Sequence, residues 1–209
     1  AAQSVGKLPL DLASLPVDLL STTAHKVYGP KGIGALYVAD RQGCHVEPLI
    51  YGGGQQGGRR PGTLAVPLIA AFGAAAGVAM SEMQANYSHL RALNDRLWQG
   101  IRDLDGVVRN GGEDSTFPGI LNVSIADVEG ESLLLALEPL CVATGSACNS
   151  TSSEPSPVLR AIGRSDLLAQ SAIRFSFGRP TTAAEVDFAV ARYREAVTTL
   201  RGIAPGLVA

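Results

Sequence analysis

Apolar and polar positions along the chain fall into blocks of different period. Val17-Asp18-Leu19-Leu20-Ser21 and Ile33-Gly34-Ala35-Leu36-Tyr37-Val38 are short apolar runs, and Tyr37 and Val38 favour extended backbone. Both are predicted as strands, the first of them buried. Between them, His25 to Gly32 carries Gly and Pro residues that punctuate a tight loop. A second loop, Gly52 to Thr63, is too rich in glycine for helix or strand. Helix is predicted from about Leu64 to Leu104. Its first part, Leu64 to Met80, has no charge. That run falls short of the roughly 20 residues of a membrane span. It is also dominated by Ala and Gly, with Pro67 in its first turn. A core helix packed closely against a sheet is the expectation. In the second part, Met83, Tyr87, Leu90, Leu97, Ile101 and Leu104 recur at intervals of three, four and seven, which makes one apolar face. Asn94, Arg96 and Gln99 are assigned to the exposed side. This helix reads as a linker between two domains, 1–82 and 83–209.

The second domain reads as a small α/β unit. Ile120 to Ile125 suits a strand and Glu131 to Leu137 a helix. Ile173-Arg174-Phe175-Ser176-Phe177 alternates apolar and polar positions, so Arg174 and Ser176 share one face. Thr182 followed by Glu185 is a capping box that opens a last helix, expected to run to about Arg201. There is no internal repeat.

Composition narrows the function. With 46% hydrophobic and 17% charged residues the 209-residue chain is ordinary globular material. A net charge of −2 with scattered basic residues gives no footprint for nucleic acid or an anionic membrane. The three cysteines, Cys44, Cys141 and Cys148, form neither a CxxC pair nor a metal-ligand spacing with the dispersed His25, His45 and His89. No metal is expected. An odd cysteine count suits a reducing compartment, and a cytoplasmic location is expected, with an organelle left open. Cys141, between Leu140 and Val142, reads as a buried strand residue, and Cys44 as structural. Ala1 is not an initiator Met and Ala1 to Lys7 reads like the middle of a domain. An N-terminal part, missing here or supplied as a companion chain, is therefore expected.

The candidate chemistry sits in a few places. No P-loop, G-x-G-x-x-G, G-x-S-x-G or H-E-x-x-H motif is present. Thr23-Ala24-His25-Lys26 puts a hydroxyl, an imidazole and an amine at the end of a predicted strand. A lysine amine becomes a Schiff-base nucleophile when burial beside cations favours its neutral form. Taken alone, a lysine after a strand is ordinarily a solvated surface residue. Gly145 to Ser153 is a run of small, mostly polar residues around the Cys148 thiol, which reads either as an exposed nucleophile or as an incidental loop cysteine. Arg174, in an otherwise apolar strand, needs an anionic partner: a structural carboxylate or a substrate's.

Taken together, the segments resemble the cysteine desulfurases of the fold-type-I pyridoxal-phosphate enzymes, closest to the group that feeds iron–sulfur cluster assembly. The matching segments are Gln3 to Lys7, Ala24 to Gly34, Gly52 to Thr63, Gly145 to Cys148, Glu154 to Ser156 with Val158 to Ala161, and Ile173 to Arg179. They follow the family's order and cover essentially the whole chain. The resemblance implies an α/β, aminotransferase-like fold: part of the large domain in 1–82 and the small C-terminal domain in 83–209. It implies that Lys26 carries pyridoxal 5'-phosphate and moves the substrate's α-proton, with His25 beside it. Gln3 would hydrogen-bond the cofactor's ring hydroxyl. Thr23 and His25 would hold the phosphate, with Thr63 reaching it from the other subunit of a homodimer. Arg174 would clamp the carboxylate of L-cysteine, and Cys148 would accept sulfur as a persulfide for an acceptor such as a cluster scaffold. The Ser/Thr-rich stretch after Cys148 is similar to the family's mobile-loop group.

Two departures follow from the same resemblance. The family's Asp on the pyridinium nitrogen lies just before the segment matching Ala1, so activity is expected to need the N-terminal part. Gln55-Gln56-Gly57-Gly58 stands where relatives often carry charge. Two other functions fit the residues: a non-catalytic scaffold that docks a sulfur acceptor, and a pyridoxal-phosphate enzyme of the selenocysteine lyase kind. A pure scaffold has no use for both Lys26 and Cys148, and a thiol in the loop favours cysteine as substrate.

Overall fold

A computed structural model describes residues 1–113, 116–144 and 155–203. The chain divides into two compact units, Ala1–Asn86 and Tyr87–Ala209, a division that falls four residues beyond the sequence-based boundary at 82.

The first unit is built around a two-stranded antiparallel ribbon. Strand β1 (Leu19–Thr23) pairs with β2 (Gly34–Val38), with Thr23 opposite Gly34. Gly34 has no side chain because none fits: a Cβ there would stand 2.6 Å from the Thr22 carbonyl oxygen. The connection is a 3₁₀ turn, Ala24–Val27, whose buried Ala24 and Val27 are spaced at the turn's own period. Tyr28 closes it in the left-handed region at φ 64°. Helix α1 (Val66–Ser81) follows, opened by Pro67. Leu68, Phe72, Ala75, Ala76 and Ala79 make its covered face. The small residues permit close approach, since a Cβ on Gly29 would lie 3.2 Å from Ala75 and one on Gly6 would lie 2.9 Å from Ala79.

Two expectations differ from what this chain by itself shows: β1 is partly exposed, with Leu19 48% exposed, and Ala79 alone among the α1 residues is buried. A two-stranded ribbon with one turn covers only one side of a helix and cannot enclose its own faces. Gln55–Gly58, expected as loop, forms a short 3₁₀ turn with Gln56 and Gly57 at positive φ.

The second unit has a closed core. Its sheet runs β3 (Val107–Asn110), β4 (Ile120–Ile125), β5 (Ile173–Ser176), all antiparallel with β4 central. Alternation puts Leu121, Val123 and Ile125 of β4 and Ile173 and Phe175 of β5 inside. They meet Leu97 and Ile101 of α2 (Met83–Ile101), Leu133 of α3 (Gly130–Ala136), and Val186, Tyr193 and Val197 of α6 (Ala183–Ile203). Tyr193 stacks edge-on against Phe175 at 5.8 Å. Short helices α4 (Pro157–Ala161) and α5 (Asp166–Gln170) complete the unit. The capping box forms as expected: the Thr182 N–H donates to Glu185 Oε2 at 2.7 Å and the Glu185 N–H to Thr182 Oγ1 at 3.3 Å.

Asn94 is fully buried rather than exposed. Its amide donates to the Pro118 and Ile120 carbonyls at 2.9 and 3.1 Å, so a polar side chain occupies the apolar face by tying down the β4 entrance. Cys141 is exposed and lies outside any strand, because the backbone pairing begins two residues later at Ala143. Cys44 is half-buried, its thiol donating to the Asp18 carbonyl at 3.6 Å.

Gly130 marks the tightest point of the unit, since a Cβ there would sit 2.1 Å from the Gln170 carbonyl oxygen. A backbone carbonyl gives way poorly, so Gly130→Ala is expected to destabilise the protein by about 2–3 kcal/mol. Urea unfolding checks this, and an unchanged midpoint would contradict it.

Candidate active site

In the first unit the structure sets Thr23, His25 and Lys26 on one turn, and the segment that carries Gln3 packs against it where Gly6 meets Val27. The buried Ala24 and Val27 pin its inner side, which leaves His25 exposed and Lys26 half-exposed. Thr23 Oγ1 lies 2.9 Å from His25 Nδ1 and 3.4 Å from the Ile33 carbonyl oxygen. When the hydroxyl donates to Ile33, the His25 Nδ1–H is the donor to Thr23. The N-terminal segment folds in tight turns, with the Lys7 N–H on the Ser4 carbonyl at 3.0 Å. Gly6, at φ +71°, brings it against the Lys26 turn: a Cβ at Gly6 would stand 2.9 Å from Val27 Cγ1.

This packing brings in a residue to which the sequence reading gave no role. Lys7 Nζ donates to Gln3 Oε1 at 3.2 Å. Burial first, and then the charge of Lys26, hold the Lys7 ammonium below the usual lysine range. The signal was visible as the i, i+4 spacing of Gln3 and Lys7, although such spacing is informative only where the backbone turns.

The donor set is a hydroxyl, an imidazole, an amide and two ammonium groups, with no carboxylate among the contacts described. That chemistry suits an anionic phosphate, a ring oxygen and an aldehyde, so these residues fit pyridoxal phosphate. Among the described residues no group of His, Cys, Asp and Glu is placed to hold a metal ion. Thr63 stands exposed between the glycine-rich loop and α1.

In the second unit Arg174 lies on β5 opposite Asn122, with its Nε buried and without a hydrogen-bond partner among the described residues. Its backbone also bridges Ala143: the Arg174 N–H donates to Ala143 at 2.7 Å, and the return bond is 3.3 Å. Cys148 and its loop lie outside the described residues. In the sequence they follow Ala143, the residue bridged to Arg174, and precede α4.

The aminotransferase class-V profile matches residues 1–188. The chain belongs to the class-V aminotransferase family. Members of this family use pyridoxal phosphate. The chain is 52% identical over 205 residues to the cysteine desulfurase IscS of Serratia proteamaculans and 53% identical to that of Vibrio atlanticus. Each match covers 98% of this chain and 51% of the relative. The chain thus spans about half the length of the curated relatives it matches. Among solved structures, a NifS-like protein superposes with a TM-score of 0.82 at 35% identity, covering 96% of this chain and 51% of its own. The structure of SspA in complex with cysteine gives 0.67 at 36% identity, covering 85% and 48%. The class-V fold is therefore the aminotransferase-like α/β architecture expected from the sequence.

Proposed function

We propose that the protein carrying this chain is a pyridoxal-phosphate-dependent cysteine desulfurase, which converts L-cysteine to L-alanine and takes the sulfur as a persulfide on Cys148. The observation that carries this is the Lys26 turn with its Thr23–His25 pair 2.9 Å apart, in a chain about half identical to proteins named cysteine desulfurase. The cysteine bound in the structure of the related SspA supports the choice of substrate.

Each residue then has a task. Lys26 would hold the cofactor through its amine and would move the substrate's α-proton. Thr23 and His25 donate to the phosphate from one subunit and Thr63 from the other subunit of a homodimer. Gln3 donates to the ring oxygen. When bound, the cofactor supplies an electron sink for loss of the α-proton and activates the substrate's Cβ–S bond. Arg174 clamps the substrate carboxylate, which gives its unpartnered Nε an acceptor. The Cys148 thiolate attacks the substrate sulfur. An S–S bond forms as Cβ–S breaks, and the electron pair left on Cβ takes up a proton. The net change, one thiol plus cysteine to one persulfide plus alanine, needs no external oxidant. The persulfide passes to an acceptor protein such as an iron–sulfur cluster scaffold, in a reducing compartment that we take to be the cytoplasm. Residues beyond this chain complete the site, in an N-terminal segment or companion chain.

The test is product stoichiometry. With L-cysteine and a thiol reductant, the holo protein should release alanine and sulfide in equal amounts. Pyruvate and ammonia in place of alanine, or no release of sulfide, would sink the assignment.

A further inference from the structure

We propose that Lys7 is a positioning residue for the cofactor: its ammonium locks the Gln3 amide so that Gln3 presents only its NH2 group to the ring. This deepens the function proposed above and rests on it. Lys7 Nζ lies 3.2 Å from Gln3 Oε1. An ammonium has donors and no acceptor, so it accepts only one flip of the amide, with the oxygen turned toward Lys7 and the NH2 turned away. A free glutamine would sample both flips, and half of its orientations would set an oxygen lone pair against the ring oxygen of the cofactor. The backbone that carries the two residues is held in place by turns. Turn bonds from Val5 to Ala1 and from Lys7 to Ser4, at 3.0 Å each, hold the segment. Gly6, at φ +71°, packs it against Val27, the residue after Lys26. Lys7 is half-buried, and burial first and then the nearby Lys26 charge hold its ammonium below the usual lysine range.

The consequence is electronic. An NH2 donor draws negative charge from the ring oxygen, and that charge is what favours a proton on the nitrogen joining the cofactor to Lys26. Losing the lock therefore shifts the bound cofactor toward its protonated form. The experiment is an absorption spectrum of the holo protein at one fixed neutral pH, reading the ratio of the protonated and unprotonated cofactor bands. Lys7→Met is expected to raise that ratio roughly threefold to tenfold, equivalent to a half to one pH unit. Lys7→Arg, which also offers only donors, should restore the native ratio. Gln3→Leu should reproduce the Lys7→Met shift, and in that background Lys7→Met should add much less.

A native ratio in Lys7→Met, or an undiminished effect of Lys7→Met in the Gln3→Leu background, would overturn the proposal. If Lys7→Met fails to fold, Lys7→Gln serves, since a glutamine there both donates and accepts and no longer dictates the flip; a native ratio in that variant overturns the proposal equally. A wild-type protein that binds no cofactor would sink the functional reading itself, whereas a loaded wild type with an indifferent Lys7 would sink this inference alone.

Discussion

Replacing Lys26 by alanine is expected to lower turnover of cysteine by about 10³-fold or more, and to leave the cofactor readily removed by gel filtration. Two losses combine in this variant. The amine that attaches the cofactor is gone, and so is the group that moves the α-proton, a role worth about 10²–10⁴-fold by itself. The fold should survive, because the turn is held by other residues. Ala24 and Val27 are buried at 0% and 4% exposure, and Gly29 packs on α1 through Ala75. Near-native stability with collapsed activity is therefore the expected pattern, measured as alanine release beside a thermal melt. Turnover within a few fold of wild type would place the chemistry elsewhere.

Cys148→Ser is expected to abolish sulfur transfer to an acceptor, by about 10²-fold or more, while cofactor and L-cysteine still bind. A serine hydroxyl is a far weaker nucleophile than a thiolate at neutral pH and cannot hold a sulfane sulfur. The two exposed or half-exposed thiols elsewhere provide the controls. Cys141→Ser and Cys44→Ser should transfer sulfur at the native rate, because neither belongs to the proposed site. Radiolabelled sulfur from cysteine, followed to protein and acceptor, reads all three variants. Label retained on the Cys148→Ser protein would contradict the assignment and would turn attention to Cys141.

How far the sequence carried this reading depended on where the physics was local. The capping box of Thr182 and Glu185 was legible because both partners lie within one turn. Strands β4 and β5 were legible because a buried sheet enforces period-two alternation at Leu121, Val123 and Ile125 and around Arg174. Strand β3 was missed: Val107–Asn110 is short, lies at the sheet edge and ends in Arg109 and Asn110, so it carries little alternation. The burial of Asn94 was illegible because its partners, the Pro118 and Ile120 carbonyls, arrive from more than twenty residues away. Helix α1 looked like a core helix from composition, and composition does not say how much chain is available to cover it.

The site shows the same division. Thr23, His25 and Lys26 are neighbours in sequence and in space, so their grouping was visible, whereas their role came from the resemblance and not from the spacing. Lys7 was passed over because its importance arises from a fold-back, through Gly6 at positive φ, that sets it beside the Lys26 turn. The Ala143–Arg174 bridge joins residues 31 positions apart by two backbone bonds. No side-chain pattern encodes such a contact.

The most direct test of the central claim is mass spectrometry of the purified protein, with peptide mapping, before and after borohydride reduction and again after brief exposure to L-cysteine. The account expects a cofactor adduct fixed by borohydride on the peptide that contains Lys26, and a single added sulfur on the peptide that contains Cys148. Unmodified masses under both treatments, or adducts on other residues, would contradict it.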